Sequence, residues 1–309
     1  MRSDLHLLND FHLRGAGEAG WNQRYVQLSP GVMRSTLAMR VAPGAQVFYK
    51  WMSERVAQQG GLPADRLCFS LLAAPGGGTP RMQGQTLEDH SLFILRGGEA
   101  FDIQRPQGMA LLSVTFAREA FLAALDGLPR QAPARRALGQ MALRLPPAAL
   151  QRLRRALRQV LEQPADGHHQ PMHHALAASL MAAVLAALQQ SEPQATHASG
   201  RRAAALVRAC QHMATGSDGT APQVDELCRR MATSRRTLQN SFRLATGTTP
   251  LHYLRSVRLN AVRSRLLATA PAQVSVSQAA SDQGFGHLSH FSQDYKALFG
   301  ELPSQTARA

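Results

Sequence analysis

The sequence predicts an α+β chain: an N-terminal antiparallel β-barrel with helices, then an all-α C-terminal domain carrying two helix-turn-helix motifs in tandem. Three observations carry this. Short apolar runs separated by Gly/Pro clusters fill residues 21–117, and a helical period takes over from residue 118. A helix, a break and a second helix then occur twice near the C-terminus, at 224–247 and 276–300. A chain of 309 residues is long enough for two domains with separate cores.

In the first part the strand candidates are 24–28, 34–41, 46–51, 68–72, 91–95, 100–104 and 110–116. Between them lie Ser29-Pro30-Gly31, Pro43-Gly44, Gly60-Gly61-Leu62-Pro63, Pro75-Gly76-Gly77-Gly78 and Gly97-Gly98, all turn chemistry. Gly76–Gly78 is not followed by Gly-Lys-Ser/Thr, so it reads as a turn and not a phosphate loop. Trp51, Phe69, Phe93 and Phe101 are candidate walls of a ligand pocket, although packing in the core accounts better for any one of them.

Residues 118–190 read as helices. Leu150, Leu153, Leu157 and Leu161 line one face of 147–162, with Arg152, Arg154, Arg155 and Arg158 around the rest. The segment 172–189 carries Leu176, Leu180, Val184 or Leu185, and Leu188 among alanines, so it suits either a subunit interface or a cap on the barrel. Residues 191–200 (SEPQATHASG) have no period and read as a linker, leaving a sensor and dimerisation domain at 1–190 and a second domain at 201–309.

In the first motif Val224, Leu227, Met231, Leu238 and Phe242 keep helical spacing across a break at Ala232-Thr233. Ser234 suits the N-cap of the second helix, and Gly247 and Pro250 end it and start the next. Arg235, Arg236, Gln239, Asn240 and Arg243 fall on its outer side. Arginine matches guanine O6/N7, and Gln or Asn matches adenine N6/N7, so these types suit a major groove.

The second motif turns at Gly284-Phe285-Gly286. It buries Phe291, Tyr295 and Leu298, and faces His287, Leu288, His290 and Gln293 outward, with Asp294 at the margin. Between the motifs, 250–268 reads as one helix of about 28 Å at ~1.5 Å per residue, against about 34 Å between successive groove faces. Arg255, Arg258, Arg263 and Arg265 on it are candidate phosphate contacts, or simply a solvated face.

The net charge of +14 favours polyanionic partners. It is almost all arginine, since only Lys50 and Lys296 are lysines, and it is densest from Gly200 onward. Cys68, Cys210 and Cys228 lie far apart, which gives neither a disulfide framework nor a zinc ribbon and fits a reducing cytosol. Neither a signal peptide nor a membrane span is expected. His90 is the one histidine between Leu13 and Gly167, too few for a catalytic metal site in the barrel. His168, His169, His173 and His174 cluster, but Pro171 interrupts them and no Cys or Glu completes a site. No catalytic residue, metal or cofactor is expected, and the chain is not expected to be an enzyme.

The C-terminal residues resemble the AraC/XylS family of bacterial transcription regulators. Ser234-Arg235-Arg236-Thr237-Leu238-Gln239 with Phe242, Gly247 and Pro250 is similar to the family's first-motif block. Tyr253-Leu254 and Arg258-Leu259 resemble its linker helix. Ala280, Gly284-Phe285, Ser289, Phe291, Tyr295-Lys296, Gly300 and Pro303-Ser304 match the spacing of its second motif. Residues 24–31 and 258–263 resemble the ethanolamine-utilisation regulator branch. Two positions depart: Gln293 stands where arginine is frequent, and Thr306-Ala307 replaces an aromatic-Arg ending.

The resemblance implies a cupin-like N-terminal sensor and DNA contacts from Arg235, Arg236, Gln239, Asn240, His287, Leu288, His290, Gln293 and Lys296. It also implies a cytoplasmic activator, dimeric, bound to double-stranded promoter DNA and to RNA polymerase, and controlled by an unknown small-molecule effector. A ligand-independent or architectural DNA binder, with the barrel used only for assembly, remains the alternative reading.

Overall fold

A computed structural model describes residues 3–8, 21–129, 132–163, 170–195, 197–214 and 222–307, with backbone only at 3–8 and 170–174. The strands are β1 (Ser3–Leu8), β2 (Asn22–Gln27), β3 (Ser35–Ala42), β4 (Ala45–Met52), β5 (Val56–Gly61), β6 (Arg66–Ala74) and β7 (Arg81–Met82). Then come β8 (Gln85–Thr86), β9 (Ser91–Arg96), β10 (Ala100–Arg105), β11 (Ala110–Ala117), β12 (Ala142–Arg144) and β13 (Glu192–Pro193). They form two antiparallel sheets, ordered β1-β3-β4-β11-β6-β9-β12-β13 and β2-β5-β10-β7-β8.

The larger sheet is covered on both faces, which is why its central strands read as continuous apolar runs. Along β6, Leu67, Phe69 and Leu71 face one core while Cys68 and Leu72 face the other. The outer core lies under helices α1 (Arg118–Asp126), α2 (Pro133–Ala137), α3 (Pro147–Glu162) and α4 (Gln170–Gln189). Phe121, Leu150, Leu153, Leu157, Leu180, Val184 and Leu188 pack there, so the alanine-rich α4 caps the sheet within the chain.

The inner core fills the space between the sheets. Trp21 meets Phe48 and Phe101 edge-on at 5.7 and 6.1 Å, and Phe93 is fully buried beside them. Phe69 instead stacks on Phe121 at 4.8 Å on the helical side. The four aromatic wall candidates therefore do not enclose one common space: Phe69 faces the helices, Phe93 and Phe101 fill the inner core, and Trp51 belongs to neither cluster.

The smaller sheet packs its outer face on the C-terminal helices α5 (Ala198–Ala214), α6 (Val224–Arg230), α7 (Arg235–Thr246) and α8 (Pro250–Leu267), which are followed by α9 (Val276–Ser281) and α10 (Leu288–Phe299). Val26, Leu28 and Ala57 share a core with Ala203, Val207, Leu238, Phe242, Tyr253 and Val257. Polar contacts frame it. The backbone N–H of Gln27 donates to Asn260 Oδ1 at 2.9 Å, and Asn260 Nδ2 donates to the Gln27 carbonyl at 3.0 Å. Gln27 Nε2 and the Gly31 N–H both donate to the Leu298 carbonyl, at 2.8 and 3.1 Å. Gln59 and Gln211 exchange amide hydrogen bonds, Arg208 donates to Gln83, and Arg55 donates to the Thr246 carbonyl.

All seven expected strands are present, and α3 spans the expected residues. The sequence reading missed β5, taking its Gly60-Gly61 end for a turn, and missed the edge strands β1, β7, β8, β12 and β13 and the alanine-rich α5. The linker reading of 191–200 is corrected in part. Glu192–Pro193 pairs with β12 and α5 begins at Ala198, because Gln194 bonds Ser91 and the Thr86 carbonyl and holds the segment to the sheet. The His168–His169 pair and the side chains of His173 and His174 lie outside the described residues. Among the described residues no helix is long and apolar enough to cross a membrane.

Candidate nucleic-acid interface

The first motif is α6, a turn and α7. Ser234 caps α7 by accepting from the Thr237 N–H at 3.0 Å, and Gly247 closes it in the left-handed region at φ 69°. Leu238 and Phe242 are fully buried, and Phe242 packs edge-on against Tyr253 at 5.7 Å. The opposite face carries Arg235, Arg236, Gln239, Asn240 and Arg243, all exposed.

These exposed side chains are not equivalent. Arg235 forks onto Asp225 of α6, with Nε and Nη2 donating at 2.5 and 2.6 Å. That pairing raises the guanidinium and lowers the carboxyl from their ordinary pKa values. Arg235 thus ties the two helices of the motif together. Arg236, Gln239 and Asn240 have no hydrogen-bond partner among the described residues, leaving their base-matching groups open.

The second motif repeats the plan. Ser275 caps α9 by accepting from the Gln278 N–H at 3.0 Å, and Gly300 closes α10 at φ 76°. Each inter-helix turn contains one left-handed residue: Gly284 at φ 72° in the second motif, Ala232 at φ 47° in the first. Phe285 fills the turn against Phe291 at 5.1 Å. His287 stands at the N-cap of α10, its ring 6.2 Å from that of His290. Leu288, His290, Gln293 and Lys296 are exposed on α10, with Phe291 and Tyr295 buried behind them.

The helix between the motifs, α8, has 18 residues, or about 27 Å at ~1.5 Å per residue. Its four arginines do not form a solvated stripe. Arg255 approaches Asp294 of α10 at 3.5 Å. Arg258 lies over the Phe285 ring at 4.9 Å and donates to the Gln283 carbonyl at 3.4 Å. Arg263 pairs with Glu301 at 2.6 Å over the Phe299 ring, and Arg265 pairs with Asp282. Every one of them touches the second motif. Their arrangement fixes α9 and α10 along α8, a role the sequence did not disclose because the partners lie 17 to 39 residues away.

Thr306, at the departure from the family ending, is 4% exposed. It hydrogen-bonds Tyr295 at 2.7 Å and donates to Glu301 at 2.8 Å, closing the network around Arg263.

Residues 227–309 match the model of a helix-turn-helix domain family. Over 83 residues the chain is 39% identical to XylDLEGF operon transcriptional activator 2 of Pseudomonas putida, covering 27% of this chain and 53% of that protein. It is 36% identical over 85 residues to the probable thc operon regulatory protein of Rhodococcus erythropolis, covering 28% of this chain and 26% of that protein. The chain therefore spans about half the length of the first relative and about a quarter of the other. ToxT from Vibrio cholerae aligns over 85% of this chain and 97% of its own at 14% identity, with a TM-score of 0.29, a likeness too loose to carry an argument.

Proposed function

We propose, from the premise that the C-terminal module belongs to the AraC/XylS helix-turn-helix family, that this protein is a DNA-binding transcription regulator. One observation carries the reading. Two helices of equal length, α7 and α10, each closed by a left-handed glycine, present open polar side chains and are joined through α8, a helix about 27 Å long, near the ~34 Å between successive major grooves. Arg236, Gln239 and Asn240 read one groove, and Leu288, His290 and Gln293 read the next, with His287 and Lys296 beside the backbone and Arg235 positioned by Asp225. No catalytic role is proposed for any residue.

The relatives' names make activation the expected direction of control. Cytoplasmic location, a homodimer, contact with RNA polymerase, and a division into a sensor at 1–190 and a DNA module at 201–309 are further parts of the proposal. The extensive docking of the smaller sheet on α5, α7 and α8 supports control of the module by the N-terminal part. Selection of bound duplexes from a random pool tests it. Enrichment of two short blocks about one helical turn apart is expected; recovery of unenriched DNA would overturn the reading.

A further inference from the structure

The outer face of the smaller sheet changes character from row to row. Antiparallel register aligns Val26 with Ala57, Arg24 with Gln59 and Asp102, and Asn22 with Gly61 and Ala100. In the first row Val26 and Ala57 are apolar and lie under the C-terminal helices, with Gln104 beside Ala57. The second is polar: Gln59 bonds Asp102 on its own sheet and Gln211 of α5. In the third, Gly61 and Ala100 have almost no side chain, so the sheet and α5 cannot close on each other. A cavity of about 660 Å³ results, lined by Arg24, Gln59, Gly61 and Ala100 on the sheet and by Arg208 and His212 on α5. That size is ordinary for a small-molecule site.

The charge it presents is positive. Arg24 is exposed at the cavity and has no ion-pair partner among the described residues. Among the described residues Arg208 donates one hydrogen bond, to Gln83, which leaves the rest of its fork available. Of the nearby carboxylates, Glu99 is paired with Arg96 at 3.2 Å, and buried Asp102 accepts from Gln59 and Gln104, with Arg208 close enough to oppose the rise that burial causes in its pKa.

We infer that this seam between the smaller sheet and α5 is a binding site for a small organic anion, whose carboxylate or phosphate is held jointly by Arg24 and Arg208. Guanidinium forks match such oxyanions with charge-assisted hydrogen bonds. Since Arg24 belongs to the sheet and Arg208 to the first helix of the C-terminal module, the ligand binds fully only when the two are docked. It therefore biases their arrangement by its differential affinity for the docked state. Its regulatory meaning rests on the proposed function; binding itself is measured without DNA.

Calorimetric titration of the full chain with succinate, phenylacetate and glycerol 3-phosphate, each beside its neutral counterpart (succinamide, phenylacetamide, glycerol), tests the assignment. At least one anion is expected to bind while its neutral partner does not, the carboxylate and phosphate arms showing which oxyanion is preferred. Arg24→Gln and Arg208→Gln should each weaken that binding by about tenfold or more. Gly61→Trp should abolish it by occupying the space. A side chain is tolerated at Gly61, since a Cβ there meets only the Glu99 carbonyl at 3.9 Å. Failure of all three anions to bind, equal binding of a neutral counterpart, or unchanged affinity in Gly61→Trp overturns the proposal. If anions bind but no DNA sequence is selected, the site stands and the regulator reading falls.

Discussion

Gln27 and Asn260, 233 residues apart, are joined as a strand pair would be: the Asn260 amide takes the Gln27 N–H and gives to the Gln27 carbonyl. Both residues are almost fully buried, and Asn260 Nδ2 also donates to the Ser256 carbonyl at 2.7 Å. A side chain of α8 thus completes the edge of β2. Asn260→Ala should leave the Gln27 backbone groups unsatisfied in the interior and cost about 1–3 kcal/mol. Urea denaturation checks this, and a loss below about 0.5 kcal/mol, within the range of ordinary surface changes, would count against a buried seam.

Arg236→Ala should cost about 1–3 kcal/mol at the selected site and relax base preference there, with binding to unrelated duplexes little changed. Competition titrations separate the two. Equal weakening on every duplex would make Arg236 a phosphate contact.

Arg263 separates a structural arginine from a DNA contact. Its side chain is 12% exposed and bound to Glu301 over the Phe299 ring. Arg263→Gln should lower stability by roughly 1.5–3 kcal/mol, the scale of a hydrogen bond to a charged group. Binding of duplex DNA should fall steeply with salt, because several cations displace counterions, and the slope should be the same in wild type and variant. A slope shallower by about one unit in the variant would place Arg263 on a phosphate.

Asp102 sets a pH dependence. Burial raises its carboxyl pKa, against the hydrogen bonds from Gln59 and Gln104. A folded pKa above the unfolded value of about 3.9 means the folded state holds the proton more tightly. The stability this group contributes is full below the unfolded pKa and is lost as pH rises through the raised one. The stability difference between wild type and Asp102→Asn should therefore move against wild type as pH rises across that window; a difference independent of pH would contradict the buried placement.

Ala232 should respond to glycine in the opposite sense from most alanines. Its left-handed φ of 47° carries a strain of about 1–2 kcal/mol, which exceeds the ~0.4–1 kcal/mol by which glycine loosens the unfolded chain. Ala232→Gly should be neutral to stabilising by up to about 1 kcal/mol in thermal unfolding.

The legible parts of the molecule are those with local signals. Ser234, Gly247, Pro250, Gly284 and Gly300 mark helix ends and turns by chemistry confined to a few neighbours, so both motifs could be placed to within a residue or two. Strand existence was equally readable where apolar runs were long, as at β11. What the sequence withheld depends on distant partners. Arg255, Arg258, Arg263 and Arg265 look like a solvated row until Asp294, Phe285, Glu301 and Asp282 are folded onto them. Gly60-Gly61 reads as a turn unless the strands on both sides are known to pair with it. Among the described residues, Arg235 is the candidate DNA contact whose fork is already occupied within its motif.

The Leu298 carbonyl belongs to the last turn of α10, where helical carbonyls lack donors of their own chain segment. Its two donors, Gln27 Nε2 and the Gly31 N–H, come from the opposite end of the polypeptide. A fragment comprising the tail alone would have to surrender those bonds to water, so its final turn should fray. Measurements on such a truncation would then describe a looser gripping element than the one the intact protein carries.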